Sequence, residues 1–266
     1  MIKMRKIILA FILGVIVGSG VFLVPKTLTR TPKTIGQMFV GRQDVYYAGY
    51  PGDVIELHVY WIKKRGNMSA VYSIRDLPKC LNLLAIVPSH EAVSGEVEKE
   101  KFIILLQLKG EGKCTADAKF VLRSGNVEVS MPIRIVAYGV KKGSKLRVYT
   151  SKVAEIGSEG DLNGSILEYE IYNPTNSSVY IRDVKIELPG IRIVNFSPIQ
   201  IPPKTSRILT FILKDDRPIK TDIVLIRPLL LYSIGNETLE MPLEEYRFEI
   251  IPDYTDILGN TQVVVK

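Results

Sequence analysis

The stretch Ile7–Val24, IILAFILGVIVGSGVFLV, decides how the rest of this 266-residue chain is read. It contains no charged residue, and its most polar side chain is Ser19. At about 1.5 Å per residue, a helix of this length nearly crosses a hydrocarbon core of about 30 Å. After Pro25 no second apolar run of comparable length follows, and the sequence becomes strand-like. We therefore expect one transmembrane helix that carries a large β-rich body.

Two interpretations of this segment remain open. An uncleaved anchor is favoured, because apolar residues continue through Val21–Val24 and extend the run to spanning length. A signal peptide cut at Gly18–Gly20, which would release a secreted protein, is the alternative. The basic flank of residues 1–6 favours a cytoplasmic N-terminus, although residues 25–35 are also basic. We predict a single-pass cell-membrane protein whose C-terminal body lies outside.

The net charge of +7 does not indicate a nucleic-acid partner. Six of the 35 basic residues lie within residues 1–33, which hold no acidic residue. The rest of the chain is therefore nearly neutral, with 29 basic against 28 acidic side chains. A domain that neutralises phosphates needs a concentrated basic face. The basic excess belongs to the flanks of the membrane segment instead.

The two cysteines and several sequons favour an extracellular body. Outside the cytoplasm, Cys80 and Cys114 would most simply form one disulfide, worth roughly 3–4 kcal/mol in the chain-entropy model. Two unrelated buried thiols are the alternative. A sequon at Asn195 is a poor acceptor because Pro198 follows it. The candidate glycosylation sites are Asn67, Asn163, Asn176 and Asn236.

The spacing of apolar runs and turn residues predicts an all-β body made of two tandem immunoglobulin-like β-sandwich domains. The predicted organisation is a basic flank (1–6), an anchor or signal segment (7–24), a stalk (25–35), a first sandwich (36–140), a linker (141–145), a second sandwich (146–252) and a tail (253–266).

The clearest strand is Val54–Trp61, in which odd-numbered apolar residues alternate with Glu56, His58 and Tyr60. Phe102–Leu108 is nearly all apolar and predicts a central strand buried on both faces. The irregular segment Lys79–Gly95 predicts a loop. The remaining predicted strands are Lys119–Leu122 and Val127–Val129 as a hairpin, then Ile166–Tyr172, Val179–Leu188, Arg207–Leu213, Ile223–Tyr232 and Tyr246–Ile251.

Two stretches carry a resemblance to known families. Ala48–Trp61 (AGYPGDVIELHVYW) resembles the opening of many extracellular immunoglobulin-like modules. Ile166–Gly190, with Asn-Pro-Thr-Asn after its first strand, is similar to CARDB-like adhesion modules of prokaryotic surface proteins. The resemblance implies surface display, adhesion or scaffolding, without shared catalytic residues. Richness in Ile, Val, Lys and Glu also fits a thermophilic source.

The sequence contains no recognisable catalytic motif, and we predict no catalytic residue, no cofactor and no metal site. The two histidines, His58 and His90, lie near no recognisable nucleophile motif, and we expect both to be ordinary surface residues. Residues 109–114 (KGEGKC) lack the first glycine of a phosphate loop and place Cys114 at its hydroxyl position. We therefore predict a protein that is not an enzyme.

Two segments keep alternatives open. Glu159–Glu170 follows the spacing of a calcium loop, but a loop between two strands is the favoured reading. The C-terminal Thr261–Lys266 (TQVVVK) is predicted to be a final strand or a partly ordered terminus, with pairing to a neighbouring sheet edge, and hence self-association, as the alternative.

The expected function is that of a membrane-anchored, non-enzymatic protein of the cell envelope. It would act in adhesion, scaffolding or assembly of a surface appendage, with protein or glycan partners. The alternative is an accessory or sensor subunit of a membrane enzyme or transporter.

Overall fold

The computed structural model describes residues 37–64, 70–94, 97–155, 162–217 and 221–249. The predicted anchor (7–24), the stalk (25–35), Asn67 and the tail from residue 253 lie outside these ranges. Across these described ranges every regular element is a β-strand, so the all-β prediction is confirmed there. No helix among the described residues is long and apolar enough to span a membrane.

These ranges form β1 (Gln37–Val40), β2 (Gln43–Gly49), β3 (Val54–Lys64), β4 (Val71–Arg75), β5 (Leu81–Ser94), β6 (Val97–Leu108), β7 (Gly112–Ser124), β8 (Val127–Gly139), β9 (Arg147–Glu155), β10 (Ile166–Tyr172), β11 (Val179–Lys185), β12 (Ile191–Val194), β13 (Ile199–Ile201), β14 (Ser206–Asp215), β15 (Ile223–Arg227), β16 (Leu229–Ile234), β17 (Glu237–Pro242) and β18 (Tyr246–Glu249). They assemble into four sheets, in the orders β1-β3-β6-β5, β18-β15-β2-β8-β7-β4, β12-β14-β10-β9 and β13-β11-β16-β17.

The six-stranded sheet is built around β2, which pairs in parallel with β15 on one side and with β8 on the other. All seven residues of β2 are buried, as are the first four of β15. Strands buried on both faces are typical of parallel pairing, because parallel strands need long crossover connections that cover the sheet. Strand β2 is therefore the centre of the molecule.

Alternate residues of β2 enter two different hydrophobic cores. Val45 and Tyr47 join the amino-terminal core, which contains the apolar faces of β3, β6 and β7. Tyr46 and Ala48 join the carboxy-terminal core, which contains those of β10, β11, β14 and β16. The six-stranded sheet is thus a wall shared by both cores.

This sheet also takes strands from both sides of the predicted linker at 141–145. Strands β15 and β18 follow the linker, whereas β2, β4, β7 and β8 precede it. All described residues belong to one compact unit. The division into two domains at the linker stays a prediction about which parts of the chain fold independently.

The structure corrects several strand predictions. Residues 102–108 do form part of a central strand, β6, but burial of both faces was wrong, since Ile103 and Leu105 are partly exposed. The predicted loop at Lys79–Gly95 is mostly the long strand β5, which pairs with β6 along its length. A register shift near Leu84 interrupts the alternation of side chains, and Pro88 is tolerated because β5 is an edge strand. For these two reasons the sequence pattern did not indicate a strand.

The predicted strand Ile223–Tyr232 is broken at Pro228. Its first part, β15, lies in the six-stranded sheet, and its second part, β16, pairs with β11 and β17. Proline has no N–H for a ladder hydrogen bond, so the chain changes sheet there. The Pro228 carbonyl instead accepts a hydrogen bond from the Leu243 N–H at 2.9 Å.

Candidate functional site

A polar cluster joins β3 to β18 at the side of the amino-terminal core. Glu56, His58 and Tyr60 lie on the face of β3 opposite its core-facing residues, because side chains at i and i+2 share a face. Strand β18 contributes Arg247 and Glu249. His58 is 5% exposed. The prediction that His58 is an ordinary surface residue was therefore wrong.

Both imidazole nitrogens of His58 contact carboxylates. Nδ1 lies 2.8 Å from Glu249 Oε1, and Nε2 lies 2.6 Å from Glu56 Oε1. Arg247 Nη1 also lies 3.2 Å from Nδ1 and 3.0 Å from Nε2, so the donor and acceptor roles of the two ring nitrogens depend on the tautomer of His58. The Tyr60 hydroxyl donates to the second Glu249 oxygen at 2.8 Å, and Arg247 Nη2 donates to the Glu56 main-chain carbonyl at 2.7 Å. The cluster therefore binds β18 to the outer face of β3.

The surroundings hold both carboxylates in the ionised form. The hydrogen bond from His58 lowers the pKa of Glu56, with smaller contributions from positive charges nearby. Burial alone would raise the pKa of Glu249, but hydrogen bonds from His58 and Tyr60 outweigh it and lower the pKa. Because these groups satisfy one another, the arrangement suits a structural clasp better than the polarisation of a substrate.

A second buried cluster joins the end of β14 to β2. Arg217 forms two hydrogen bonds to Asp215, at 2.8 and 2.7 Å, and one to Asp44 Oδ2 at 2.5 Å. The three side chains are between 1% and 6% exposed. Burial alone would lower the pKa of Arg217, but the contacts with the two carboxylates outweigh it and raise the pKa. This cluster ties the two halves of the chain together.

An open groove of about 570 Å³ lies between the C-terminal half of β11 and strand β12. Its apolar lining consists of Val184, Ile186, Ile191, Ile193 and Phe196. Charged residues of both signs stand along its rim, namely Asp183, Lys185, Glu187 and Arg192. The groove has room for a short extended peptide.

Each of the two strand segments that border the groove pairs with a neighbouring strand along one of its edges only. Strand β13 covers only Val179–Ile181 of β11, so Asp183–Lys185 pair with β16 alone in the described structure. The Val184 N–H is bound by the Asp183 side chain at 2.8 Å. Strand β12 is an edge strand that pairs with β14. No local pattern in the sequence indicates this groove, because its two edges come from different sheets.

The predicted site residues lie in separate places. The sulfurs of Cys80 and Cys114 are at disulfide distance, with the Cα atoms 6.3 Å apart. Asn163, Asn176 and Asn236 are all exposed. His90 lies on β5 and is exposed, as expected, with Nδ1 3.3 Å from Glu98.

The candidate calcium loop is described only from residue 162 onward. At its far end, Glu170 accepts hydrogen bonds from Ser206 at 2.7 Å and Thr150 at 3.3 Å, across strands β14 and β9. Glu168 pairs with Lys152 at 2.9 Å. The described residues hold no group of three or more His, Cys, Asp or Glu placed to bind a metal ion. Calcium binding by the complete loop stays open.

Comparison with known proteins shows no matching family model and no matching curated protein. Solved structures that match this chain weakly include the cadherin-like domains 1 to 4 of zebrafish RET (7% identity, 78% of this chain and 50% of that chain, TM-score 0.33). They also include the secreted serine protease VesC from Vibrio cholerae (11% identity, 79% of this chain and 52% of that chain, TM-score 0.29). Domains 5–6 of the S-layer protein SbsC match as well (14% identity, 82% of this chain and 97% of that chain, TM-score 0.22).

The chain spans about half the length of the VesC and RET structures. Tandem immunoglobulin domains of titin and two chaperones also match, at TM-scores of 0.22 to 0.26. Most of these neighbours are non-enzymatic domains. At these scores they carry no argument about activity or partners.

Proposed function

We propose that this chain is a membrane-anchored, extracellular, non-enzymatic protein of the cell envelope that acts in adhesion, scaffolding or surface assembly. Its body would consist of two tandem immunoglobulin-like sandwiches that share a central wall. Residues 7–24 would hold it in the membrane, and protein or glycan partners would bind the exposed sheets and loops.

The cysteine pair is the observation that carries this proposal. Cys80 directly precedes β5, whereas Cys114 lies in β7 of the six-stranded sheet, so a bond between them crosses the amino-terminal core from one sheet to the other. Structural disulfides persist in oxidising compartments and are rare in the cytoplasm. The pair therefore supports a body outside the cell, in agreement with the apolar segment at the start of the chain.

The buried charge clusters support a structural role. They link β3 to β18 and β14 to β2 over sequence separations of 191 and 173 residues. Each stabilises contacts between distant parts of the body, and the groups within each cluster bind one another. A rigid body on an anchor suits the display of a binding surface.

Protease treatment of intact cells that express the full chain would test location and attachment together. We expect protease added outside to degrade the body, and an alkaline wash to leave the protein in the membrane fraction. Deleting residues 7–24 is the matched control, since it should release a folded body. Protection of the body until the cells are lysed would contradict the proposal.

Purification in mild detergent would separate the leading function from the alternative one. An envelope adhesion or scaffolding protein should be recovered without a stoichiometric polytopic enzyme. A stable complex with such an enzyme or transporter would replace adhesion by the role of an accessory subunit.

A further inference from the structure

We infer that the groove between β11 and β12 is a binding site for an extended, β-branched peptide strand, and that its occupant is the C-terminal segment Thr261–Lys266 of the same chain. The inference goes beyond the proposed function, because it concerns a site on the body and holds on either side of a membrane.

The backbone of β12 points toward the groove in the way that strand addition requires. The Ile191 N–H donates to Leu188 O at 3.1 Å rather than to β14. In an antiparallel pair, alternate residues direct their N–H and C=O groups to the same side. The N–H and C=O of Ile193 therefore point away from β14, toward the groove. An added strand would bind these groups and reduce the exposure of the edge.

The floor of the groove is apolar, so it favours a strand with apolar side chains on one face. Val184 and Ile191 are each 4% exposed, and Ile186, Ile193 and Phe196 are partly buried against the carboxy-terminal core. Apolar side chains that alternate along an extended strand would complete this surface. β-branched residues have the highest preference for extended strands, so they suit an occupant of this kind.

The C-terminal segment has this pattern. Along an extended TQVVVK, Thr261, Val263 and Val265 share one face, while Gln262, Val264 and Lys266 share the other. The first set is entirely β-branched, so it is the face that would enter the groove. The second set contains an amide and a charge, which suits solvent and the mixed charges on the rim.

The chain can reach the groove from where β18 ends. Glu249 pairs with Ile223, which pairs with Gln43 in β2. The next residue, Asp44, binds Arg217, which in turn contacts Gly190 at the start of β12. Counting about 5 Å for each strand spacing and the lengths of the Asp44 and Arg217 side chains, these contacts place Gly190 within roughly 30 Å of Glu249 in a straight line.

Residues 250–260 provide enough chain for that distance. Eleven residues span up to about 36 Å when extended. A segment that arrives at the Gly190 end runs antiparallel to β11, because β11 ends at the turn leading to that glycine. Attachment through a short linker also gives the segment an effective concentration of about millimolar, which favours the same chain over a second copy.

Hydrogen exchange of the full-length protein tests this site. In the unchanged chain, we expect the Ile193 amide and the peptides covering 183–196 to be protected. The double substitution Val263→Asp/Val265→Asp should raise their exchange rate by about tenfold or more, since it would bury two charges in the groove. Val264→Asp is the matched control, because it adds a charge on the opposite face and should leave exchange nearly unchanged.

Three outcomes would overturn the inference. One is an exchange rate in residues 183–196 that the double substitution leaves unchanged. The second is an equal effect of Val264→Asp. The third is protection that appears only as protein concentration rises and a dimer forms in light scattering, since the occupant would then be a second copy. None of these results bears on whether the body lies outside the cell.

Discussion

The buried cluster around Arg217 makes a strong prediction about stability. Arg217→Ala removes the guanidinium and leaves the carboxylates of Asp44 and Asp215, whose side chains are 6% and 1% exposed, without their main partner. Removing one partner of a buried ion pair costs about 3–5 kcal/mol, because the remaining charge stays buried without compensation. Total stability of a domain is about 5–15 kcal/mol. We therefore expect a large fraction of the unfolding free energy to be lost.

Urea unfolding of the full chain in mild detergent, followed by tryptophan fluorescence, measures this change. Trp61 is the single tryptophan and is fully buried in the amino-terminal core, so it reports on the body. Lys145→Ala is the matched control. It breaks a pair with Glu237 at 2.7 Å in which the side chains are 47% and 54% exposed. Such surface pairs contribute about 0–1 kcal/mol.

A triple variant separates the effect of charge from that of packing. Arg217→Met combined with Asp44→Asn and Asp215→Asn removes all three charges while keeping similar volumes, and it should recover most of the lost stability. A loss of unfolding free energy in Arg217→Ala that is no larger than the loss in Lys145→Ala would contradict this prediction. The prediction is also refuted if the triple variant is less stable than the single one.

Three further predictions concern the backbone, the clasp and the disulfide. A Cβ on Gly139 would lie 1.8 Å from the Gly110 carbonyl oxygen, so Gly139→Ala should lower the unfolding free energy by about 1–3 kcal/mol. Gly110→Ala, whose Cβ meets no atom within 4 Å, should change it by less than about 0.5 kcal/mol. The pKa of Glu249 is lowered, because hydrogen bonds outweigh the opposing effect of burial. Its stabilising effect is therefore complete above the ordinary pKa of about 4.3 and is lost as pH falls through the lower folded-state value. The difference in melting temperature between the unchanged protein and Glu249→Gln should shrink as the pH falls below about 4; a difference that grows on acidification would contradict this. Reduction of the Cys80–Cys114 pair should lower the unfolding free energy by about 3–4 kcal/mol, while a Cys80→Ser/Cys114→Ser variant should not respond to reductant.

Local patterns in the sequence predicted much of the fold. The alternation in Val54–Trp61 identified β3 and its core-facing side, and Ile166–Tyr172 coincides with β10. The turn at Gly125-Asn126 joins β7 and β8 as expected. These features are readable because side-chain period and turn chemistry are properties of a few consecutive residues.

The sequence predicted only part of each candidate site. The sequence shows that Glu56, His58 and Tyr60 share a face, but their partners Arg247 and Glu249 are about 190 residues away along the chain. The groove is formed by the edges of two sheets. Contacts of this kind depend on how distant strands pack, and no local period indicates them.

The amino-acid sequence by itself determined that this body is made of strands, where many of them turn, and which face of β3 is apolar. Only the tertiary structure decided that β2, which begins with the polar pair Gln43-Asp44, is the central strand. It also decided that Ile223–Tyr232 divides at Pro228 between two sheets. The physical reason is that alternation of apolar and polar residues along a strand shows that one face of the strand is buried. Whether the second face is buried too depends on which distant strands pack against it.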